Sequence, residues 1–438
     1  MKDIGLILDT SESEKILARL NDLHPRVIDL SLDRIYQLLK KLKNPHTKIP
    51  PVIHIAGTNG KGSTLSFIKA GLEANGDFVH SYISPHLKRF NERIKIRGKE
   101  IDEASLCEYL LHCEKSNLGE SITIFEITTC AAFLAFSKTP ADYTLLEVGL
   151  GGRLDATNVI KSPLLSIITP VSMDHEKFLG NTLEKIAFEK AGILKTDSLG
   201  IIGKQSSEVQ RIIDEQARCL NVPLSVYGKD WVSKKYKEKL VYEDNDGVVT
   251  FPSPTLVGDH QFENAGIAIT ALKSLRIKKK FTEKGLLTVD WPARLQKLKN
   301  GPLIDCLRNL SYTTELWIDG GHNKAAAKAI SQFLTEPFCG KSHVICGMIS
   351  SKDVKAFLSE IKGIPESIVC VHVPNEQSSL TAKQIFVEAR QVNPNSFTAQ
   401  SLDQAIQHIV SQNSKNKGIR ILICGSLYLS GYILRNHS

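Results

Sequence analysis

A glycine-rich segment from His54 to Thr64 constrains this chain more than any other part of its sequence. It follows an apolar run, Val52–Ala56, that predicts a buried strand, and it precedes a helical pattern over about 61–74. Backbone N–H groups in such a loop form an anion site, which the start of the following helix reinforces. The segment therefore predicts a strand–loop–helix unit that holds nucleotide phosphates, with Lys61 directed at the β- and γ-phosphates. The alternative is a glycine-rich turn with a surface lysine.

The loop departs from the common phosphate-binding pattern at one position. That pattern places Ser or Thr directly after the lysine, where the hydroxyl binds Mg²⁺. Here Gly62 stands between Lys61 and the pair Ser63 and Thr64. We therefore expect the metal ligands elsewhere in the chain. The same departure disfavours a switch GTPase or a motor ATPase, in which that hydroxyl is a metal ligand.

Short apolar runs alternate with helical patterns along the chain, which predicts an α/β protein with mostly parallel sheets covered by helices. Further strands are predicted at about 143–148, 164–169, 199–202, 316–319, 343–346, 367–371 and 420–424. Helices are predicted at about 182–194 and 261–275, and others begin near 324, 353, 381 and 402.

Two regions interrupt this alternation. Over 231–255, alternating residues flank Asp244-Asn245-Asp246-Gly247, whose Asp-Gly step favours a hairpin and a small antiparallel patch. Near 291–294, Pro292 coincides with a change in composition, which predicts a domain boundary. We therefore predict an ATP-binding domain over 1–292 and a smaller α/β domain over 293–438.

Composition narrows the class of protein. The 438 residues are 42% hydrophobic and 23% charged, an ordinary globular balance for two or three domains. The net charge of +8 is spread along the chain, which fits acidic small substrates or an ordinary solvated surface and does not indicate nucleic acid. Nine scattered cysteines form no Cys-x-x-Cys pair, so neither a disulfide framework nor a zinc ribbon is favoured. No signal peptide or membrane span is predicted, and a cytoplasmic protein is expected.

Segments over most of the chain resemble those of the folylpolyglutamate synthase family, relatives of the Mur ligases. The matching segments are GTNGKGS at 57–63, SPHL at 84–87, FNERI at 90–94, EVGLGGRLDATN at 147–158, DH at 174–175, EKAGI at 189–193, HQFENA at 260–265, WPAR at 291–294, DGGHN at 319–323 and GSLY at 425–428. Two of them depart locally from the family pattern. Gly321 and Lys324 stand where the family usually has a small residue and a proline, as in DGAHNP, and Ala293 replaces the glycine of PGR. The resemblance implies a P-loop ATPase domain followed by a Rossmann-like domain, with ATP bound between them.

The resemblance also implies the residues that bind metal and ATP. Mg²⁺ prefers oxygen ligands, and the implied set is Ser84, Glu147 and His175, although a lone histidine is more often structural. The lysine that matches Lys190 is carbamylated in relatives and would hold a second Mg²⁺; the alternative is an ordinary helical lysine. The implied ATP contacts are Asn59, Gly60, Lys61, Gly62, Asn264, Arg294 and Asp319.

The acid substrate is suggested by stretches similar to the dihydropteroate pocket of bifunctional bacterial members. These stretches comprise Ile28, Asp29, Leu30, Thr123, Ile124, Phe125, Glu126, Leu154, Asp155 and Ala156. Phe125 could pack against a flat ring or belong to the core.

The resemblance thus implies an ATP-dependent ligase that joins L-glutamate to dihydropteroate and to reduced folates through an acyl phosphate. The residues expected to carry the chemistry are Lys61, Glu147, His175 and Lys190. A monofunctional folylpolyglutamate synthase, another Mur-type ligase and a nucleotide-binding switch remain alternatives. We expect a monomer that needs small-molecule partners alone, whereas the preferred folate and the length of any glutamate chain leave no sequence signal.

Overall fold

The computed structural model of the protein describes residues 11–24, 28–308, 313–413 and 418–437. Within these ranges the strands form an eight-stranded, a three-stranded and a six-stranded sheet. The strands of the eight-stranded sheet are β1 (Val52–Ala56), β2 (Val79–Tyr82), β3 (Ile94–Ile96), β4 (Lys99–Glu100), β5 (Tyr143–Glu147), β6 (Leu165–Ile168), β7 (Leu199–Ile202) and β8 (Leu224–Val226). The three-stranded sheet contains β9 (Trp231–Tyr236), β10 (Lys239–Asp244) and β11 (Gly247–Pro252). The six-stranded sheet contains β12 (Gln296–Lys297), β13 (Thr314–Ile318), β14 (Gly340–Cys346), β15 (Ser367–Cys370), β16 (Ser396–Thr398) and β17 (Gly418–Cys424).

Helices cover these sheets. Those of the first 290 residues are α1 (Glu12–Asn21), α2 (Asp33–Lys41), α3 (Lys61–Asn75), α4 (Glu103–Asn117), α5 (Ile124–Lys138), α6 (Glu176–Leu179), α7 (Leu183–Ala191), α8 (Ser207–Cys219), α9 (His260–Ser274) and α10 (Lys279–Thr288). Those that follow are α11 (Pro302–Arg308), α12 (Lys324–Thr335), α13 (Val354–Ser359), α14 (Ala382–Val392), α15 (Leu402–Ser411) and α16 (Leu427–Asn436). Within the described ranges, no helix combines the length and the apolar character that crossing a bilayer requires.

The eight-stranded sheet brings the ends of its central strands to one edge. Its order is β4-β3-β2-β5-β1-β6-β7-β8. The six neighbouring strands β2, β5, β1, β6, β7 and β8 run parallel to one another. At the margin of the sheet, β3 pairs antiparallel with β2 and forms an antiparallel hairpin with β4. All five residues of β1 are buried, as expected of a central strand covered on both faces. Open parallel sheets bind ligands beyond the carboxyl ends of their strands. The segments after β2, β5, β1 and β6 therefore meet where a ligand is expected.

Glycines let the helix of the phosphate loop pack closely against its neighbours. A Cβ on Gly71 of α3 would overlap the side chain of Leu272 in α9, and a Cβ on Gly285 of α10 would lie 2.6 Å from the Gly71 nitrogen. Such contacts require small residues at the crossing of the helices. The packing therefore fixes the direction of α3 and the position of its first turn.

The three-stranded sheet confirms the predicted antiparallel patch and packs on α9. Ser233 Oγ donates to the carbonyl of Phe262 at 3.0 Å. Asp244 pairs with Gly247 across β10 and β11, so the turn contains Asn245 and Asp246 rather than the Asp-Gly step itself. The Asp244 carboxylate accepts the Asp246 N–H at 3.0 Å and closes the turn locally.

The six-stranded sheet has the order β12-β13-β17-β14-β15-β16, with β12 antiparallel to β13 and the other pairs parallel. The predicted boundary at 291–294 lies between α10 and β12. In this connection Ala293 and Leu295 have φ values of 57° and 40°, which are uncommon outside glycine. The fold class is confirmed: a mostly parallel sheet with an antiparallel patch, followed by a second α/β unit.

Candidate active site

One cavity of about 920 Å³ opens between the two α/β units. One wall consists of the segments that follow β1, β2, β5 and β6, and the other contains residues from Asp319 to Ile330 around the start of α12. A volume of this size accommodates a nucleotide together with part of a second substrate. Residues that we assigned to phosphate, metal and nucleotide from the sequence line this cavity.

The phosphate loop owes its shape to its glycines. Gly57 and Gly60 have φ values of 146° and 88°, and a Cβ on either would overlap Thr169 or Asn264. A Cβ on Gly62 would lie 2.7 Å from the indole of Trp291. No side chain caps the start of α3, whose first N–H groups lack partners within the helix. These N–H groups therefore remain suited to a phosphate.

Lys61 lies folded over its own loop. Its Nζ donates to the carbonyls of Gly57 at 3.1 Å and Thr58 at 3.4 Å. Both contacts join a cation to neutral acceptors, so a phosphate oxygen would be a stronger partner for the ammonium group.

Glu147 and Ser84 lie side by side after β5 and β2. The Glu147 carboxylate is 6% exposed and accepts the Ser84 N–H at 3.4 Å. Burial raises the pKa of Glu147, although the ammonium group of Lys61 opposes the shift. Ser84 Oγ is buried without a hydrogen-bond partner among the described residues. A buried carboxylate beside an unpartnered hydroxyl fits a hard cation such as Mg²⁺.

His175 precedes α6 on the same wall of the cavity. Partial burial lowers the pKa of His175 to about 4, and the cations of Lys352, Lys61 and Lys190 add to the shift although Asp174 opposes it. The ring is therefore neutral near pH 7, which is the form that binds a metal. No group of three or more His, Cys, Asp or Glu suited to a metal occurs in the described part of the chain. The predicted ligand set does not form such a group, because only Glu147 and His175 are of these four residue types and its third member is Ser84.

Lys190 is a buried lysine beneath the phosphate loop. It is 5% exposed, and its Nζ donates to the Gly57 carbonyl at 2.9 Å. Burial, followed by the nearby ammonium group of Lys61, lowers the pKa of Lys190 to about 7. A substantial fraction of the amine is therefore neutral near pH 7, as carbamylation requires.

Asp174 links the two walls of the cavity. Its carboxylate accepts from Lys352 Nζ at 2.7 Å and from Asn323 Nδ2 at 3.1 Å. Asn323 also donates to Asn59 Oδ1 at 3.1 Å. Burial opposes ionisation, but Lys352 and then the imidazoles of His175 and His322 lower the pKa of Asp174 well below its usual range. The polar groups between the walls therefore form one continuous network.

His322, which belongs to the DGGHN segment at 319–323, joins this network. Its Nε2 lies 3.8 Å from Asp174 Oδ2, and its Nδ1 lies 2.9 Å from the Gly320 carbonyl. Burial and then the ammonium group of Lys352 lower the pKa of His322 to about 4. Both imidazoles of the network are therefore neutral near pH 7.

The residues predicted to bind ATP line the cavity, but several of them already have protein partners. Asp319 accepts the N–H groups of Leu295 at 2.8 Å and Gly321 at 2.7 Å. Arg294 donates to the Ala293 carbonyl at 3.0 Å, and Asn264 donates to Gln261 Oε1 at 3.0 Å. The full set that lines the cavity comprises Asn59, Gly60, Lys61, Gly62, Asn264, Arg294 and Asp319.

The residues predicted to bind the pterin lie outside the lining of this cavity. Thr123 and Glu126 form the capping box that begins α5, and Arg34 bridges Glu126 to Asp29. Ile124, next to the cap, packs on the core cluster of α4 and α5. Ile28 and Leu30 flank Asp29 and are partly buried, whereas Pro25, Arg26 and Val27 of the same segment lie outside the described residues.

Two of these predicted residues touch the cavity wall from behind. The Phe125 ring stacks on Tyr82 at 6.0 Å, and a Cβ on Gly149 would lie 2.5 Å from that ring. The Asp155 carboxylate accepts the Leu150 N–H at 2.9 Å, and Leu154 and Ala156 flank it in the chain. Gly149 and Leu150 line the cavity. This region therefore adjoins the phosphate site without opening directly into it.

Sequence reasoning missed Lys352. It lies 178 residues after Asp174 in the chain, and no motif marks it. Its one local signal is its position shortly after the end of β14, because residues beyond the carboxyl ends of parallel strands tend to form sites.

Two family models match the chain. The Mur ligase middle domain matches residues 55–272, and the dihydrofolate synthetase C-terminal domain matches residues 303–436. A dihydrofolate synthase/folylpolyglutamate synthase of Haemophilus influenzae is 34% identical over 378 residues, which cover 83% of each chain.

Solved structures agree with these matches. Escherichia coli FolC in complex with DHPP and ADP superposes with a TM-score of 0.85 at 28% identity and covers 97% of both chains. A bifunctional folylpolyglutamate synthase/dihydrofolate synthase with Mn, AMPPNP and L-glutamate bound gives a TM-score of 0.83 at 27% identity over 97% of this chain and 98% of that one. The chain therefore belongs to the dihydrofolate synthase/folylpolyglutamate synthase family of ATP-dependent ligases.

Proposed function

We propose that this chain joins L-glutamate to dihydropteroate and to reduced folates, and that ATP activates the acid as an acyl phosphate. One observation carries the proposal: a single cavity brings together the phosphate loop with Lys61, the buried Glu147 carboxylate beside Ser84 Oγ, and Lys190. Switch proteins also hold Mg²⁺ with a hydroxyl and a carboxylate, so it is the buried Lys190 and the position of the hydroxyl outside the phosphate loop that favour a ligase over a simple nucleotide switch.

The chemistry follows from the weakness of a carboxylate as an electrophile. Transfer of the γ-phosphoryl group to the acid gives an acyl phosphate, and attack by the glutamate amine forms the amide and releases inorganic phosphate. Lys61 Nζ would exchange the Gly57 and Thr58 carbonyls for phosphate oxygens and so neutralise charge during the transfer. The two walls would align the acid, ATP and amine and exclude water.

We propose Mg²⁺ as the metal, held by Ser84, Glu147 and His175. When bound by these residues, the ion would supply positive charge for the phosphate oxygens during phosphoryl transfer. The unpartnered Ser84 Oγ, the buried carboxylate and the neutral imidazole support this ligand set.

A carbamylated Lys190 would hold a second ion. The neutral amine adds to carbon dioxide, forming an N–C bond and releasing a proton, which converts a cation into a carboxylate. The lowered pKa of Lys190, about 7, supports the reaction because the neutral amine is the nucleophile.

The assignments of the ATP contacts, the two domains and the pterin site are based on the same cavity. We propose that Asn59, Gly60, Lys61, Gly62, Asn264, Arg294 and Asp319 contact ATP between a domain over 1–292 and a domain over 293–438. The adjoining stretches at 28–30, 123–126 and 154–156 would hold the pterin once a channel opens behind Gly149. One chain supplies all of these residues, which supports the proposal of a monomer, and the use of ATP and L-glutamate as substrates supports the proposal of a cytoplasmic reaction.

A dihydrofolate synthase without polyglutamylation is the second candidate. The match of residues 303–436 to the dihydrofolate synthetase C-terminal domain favours it. It differs from the first candidate only in whether a folate that already carries glutamate serves as an acceptor.

Mass spectrometry of the products tests these proposals. With ATP, Mg²⁺, glutamate and dihydropteroate, we expect a product one glutamyl unit heavier, and with tetrahydrofolate we expect a ladder. The first product without the ladder would support the second candidate. Phosphate release that is indifferent to both glutamate and the acid would contradict either ligase and support a switch.

A further inference from the structure

The cavity continues past Ser84 into a branch to which no role has yet been given. The branch runs along the loop after β2 to the β3–β4 hairpin. We call this part of the lining the basic branch; it comprises Lys88, Arg89, Glu92, Lys95 and Glu100.

Both carboxylates of the basic branch have protein partners. Glu92 accepts the N–H groups of Leu87 at 2.8 Å and Lys88 at 2.9 Å, which fixes the loop. Glu100 accepts from Arg89 Nη2 at 2.9 Å. The acids of the branch therefore bind the backbone and Arg89 rather than its lysines, although Glu100 lies opposite Lys95 in the register of the hairpin.

Lys88 and Lys95 form no ion pair within the described part of the chain, although both line the cavity. Two further cations, Arg93 and Arg435, lie close to the branch and form no ion pair with any carboxylate that the structure describes. Arg93 Nε donates to His86 Nδ1 at 2.9 Å, and Arg435 Nη1 donates to the Leu87 carbonyl at 2.7 Å. The branch therefore carries surplus positive charge, which attracts anions.

The acceptor acids differ in the number of carboxylates that they bring to this place. Dihydropteroate has one carboxylate, which reacts beside Lys61. A folate has one additional α-carboxylate for every glutamyl unit already attached. The α-carboxylate of the last unit lies within a few bonds of the reacting γ-carboxylate, and it must therefore lie close to Ser84, where the basic branch begins. The α-carboxylates of earlier units follow along the tail, one glutamyl unit apart.

We propose that the basic branch binds the α-carboxylates of the γ-glutamyl tail and that Lys88 and Lys95 distinguish tailed folates from dihydropteroate. This inference rests on the proposed ligase function. Lysine suits such a tail because its flexible ammonium group follows carboxylates in different positions. The charge of the branch thus favours long acceptors without contributing to the chemistry itself.

Steady-state kinetics of the full-length chain test the inference. The double variant Lys88→Gln/Lys95→Gln is compared with Lys99→Gln, an exposed lysine of the same hairpin that does not line the cavity. Acceptors are dihydropteroate, tetrahydrofolate and tetrahydropteroyl triglutamate. We expect the double variant to raise KM for the triglutamate about five- to tenfold, with kcat nearly unchanged. KM for dihydropteroate should change less than about twofold, and Lys99→Gln should match the wild type.

Each other outcome has a definite meaning. Equal increases of KM for dihydropteroate and the triglutamate, no increase for either, or a wild type that accepts dihydropteroate alone would overturn the inference while leaving the ligase intact. A wild type that ligates no acid would contradict the proposed function itself. Lys88→Glu/Lys95→Glu provides a second reading, since charge reversal should weaken binding of the triglutamate further and the thermal unfolding temperature reports whether the loop still folds.

Discussion

The two walls of the cavity differ in how their polar groups are satisfied. On the wall of the eight-stranded sheet, Ser84 Oγ has no hydrogen-bond partner among the residues that the structure describes, and the buried Glu147 carboxylate accepts a long contact from the Ser84 N–H. On the opposite wall, both oxygens of Asp319 accept backbone N–H groups, and Lys352 and Asn323 are bonded to Asp174.

This difference predicts two modes of ligand binding. Leaving polar or charged groups buried without partners costs free energy, so a cation at the first wall relieves a cost that the fold already carries. The second wall must exchange existing hydrogen bonds for those of a ligand. Binding there is therefore coupled to the contact between the two α/β units, whereas Ser84 and Glu147 on the first wall need not give up a side-chain partner before they bind a cation.

The largest effect is expected from Lys61→Ala. Removing the ammonium group directed at the phosphates should lower kcat for ATP-dependent ligation about 10³-fold, the usual effect of losing one group that stabilises developing charge. Phosphate release at saturating ATP measures it. Lys69→Ala in the same helix, where Lys69 pairs with Glu73, serves as the control and should retain activity. Equal losses in both variants would show that the helix, not the charge, was damaged.

Glu147→Gln should lower ligation at least about 10²-fold but should not destabilise the free protein. Because burial raises the pKa of Glu147, its charged form costs folding free energy at neutral pH. Without metal, the variant should melt at the same temperature as the wild type or about 1–2 °C higher. Added Mg²⁺ should raise the melting temperature of the wild type alone. A clear loss of stability in the metal-free variant would contradict the inference that the Glu147 carboxylate destabilises the free protein, and with it the difference between the two walls.

Lys352→Met tests the second wall. It leaves the Asp174 carboxylate without its cation, and we expect a loss of about 2 kcal/mol in the free energy of unfolding, measured with urea at pH 7. The pKa of Asp174 is lowered in the folded state, so the ionised carboxylate stabilises the protein above its unfolded pKa near 4 and this contribution is lost as the pH falls further.

The difference between wild type and Lys352→Met should therefore shrink below about pH 4. Lys355→Met, at an exposed position of α13, is the matched control and should change stability little. A difference between the proteins that stays constant through the acid range would exclude the ion pair as its cause.

The smallest effect is expected from the pH dependence of Lys190. With a pKa near 7, its neutral fraction falls from about nine-tenths at pH 8 to about one-tenth at pH 6, so activity limited by carbamylation should fall about tenfold. Added bicarbonate should restore part of the loss at pH 6. Carbon-13 NMR with labelled bicarbonate observes the carbamate directly, and Lys190→Arg is its control. A signal that persists in Lys190→Arg would assign the carbamate to another amine.

Much of the fold could be predicted from short patterns. β1 and β7 match their predicted limits, and the starts of α3, α12 and α15 coincide with the predicted ones. Some missed elements gave weak patterns: β3 and β4 contain three and two residues, and α5 is buried on all faces over 126–136, which weakens the helical periodicity. The helix α8 was missed despite a clear pattern, since its buried residues Val209, Ile213 and Ala217 recur every four positions.

The roles of the candidate site residues stay predictions, but the structure brings part of the predicted set together, whereas the residues predicted for the pterin lie outside the cavity lining. The residues assigned to phosphate, metal and nucleotide line one cavity. The capping role of Thr123 and Glu126 was not foreseen, although Thr-x-x-Glu is a sequence signature of a capping box. A resemblance identifies residues that two sequences share, but it does not give the reason why they are shared. A residue that stabilises its own helix can therefore be mistaken for one that contacts a substrate.

The sequence by itself determined the phosphate loop, because the apolar strand, the glycines and the lysine that form it all lie within the short segment from Val52 to Thr64. Only the tertiary structure decided which groups face that loop. Asn59 meets Asn323 across 264 residues, and Asp174 meets Lys352 across 178. These pairs depend on strand order and on the angle between two sheets, which arise from the packing of the whole chain and leave no mark on the residues that they bring together.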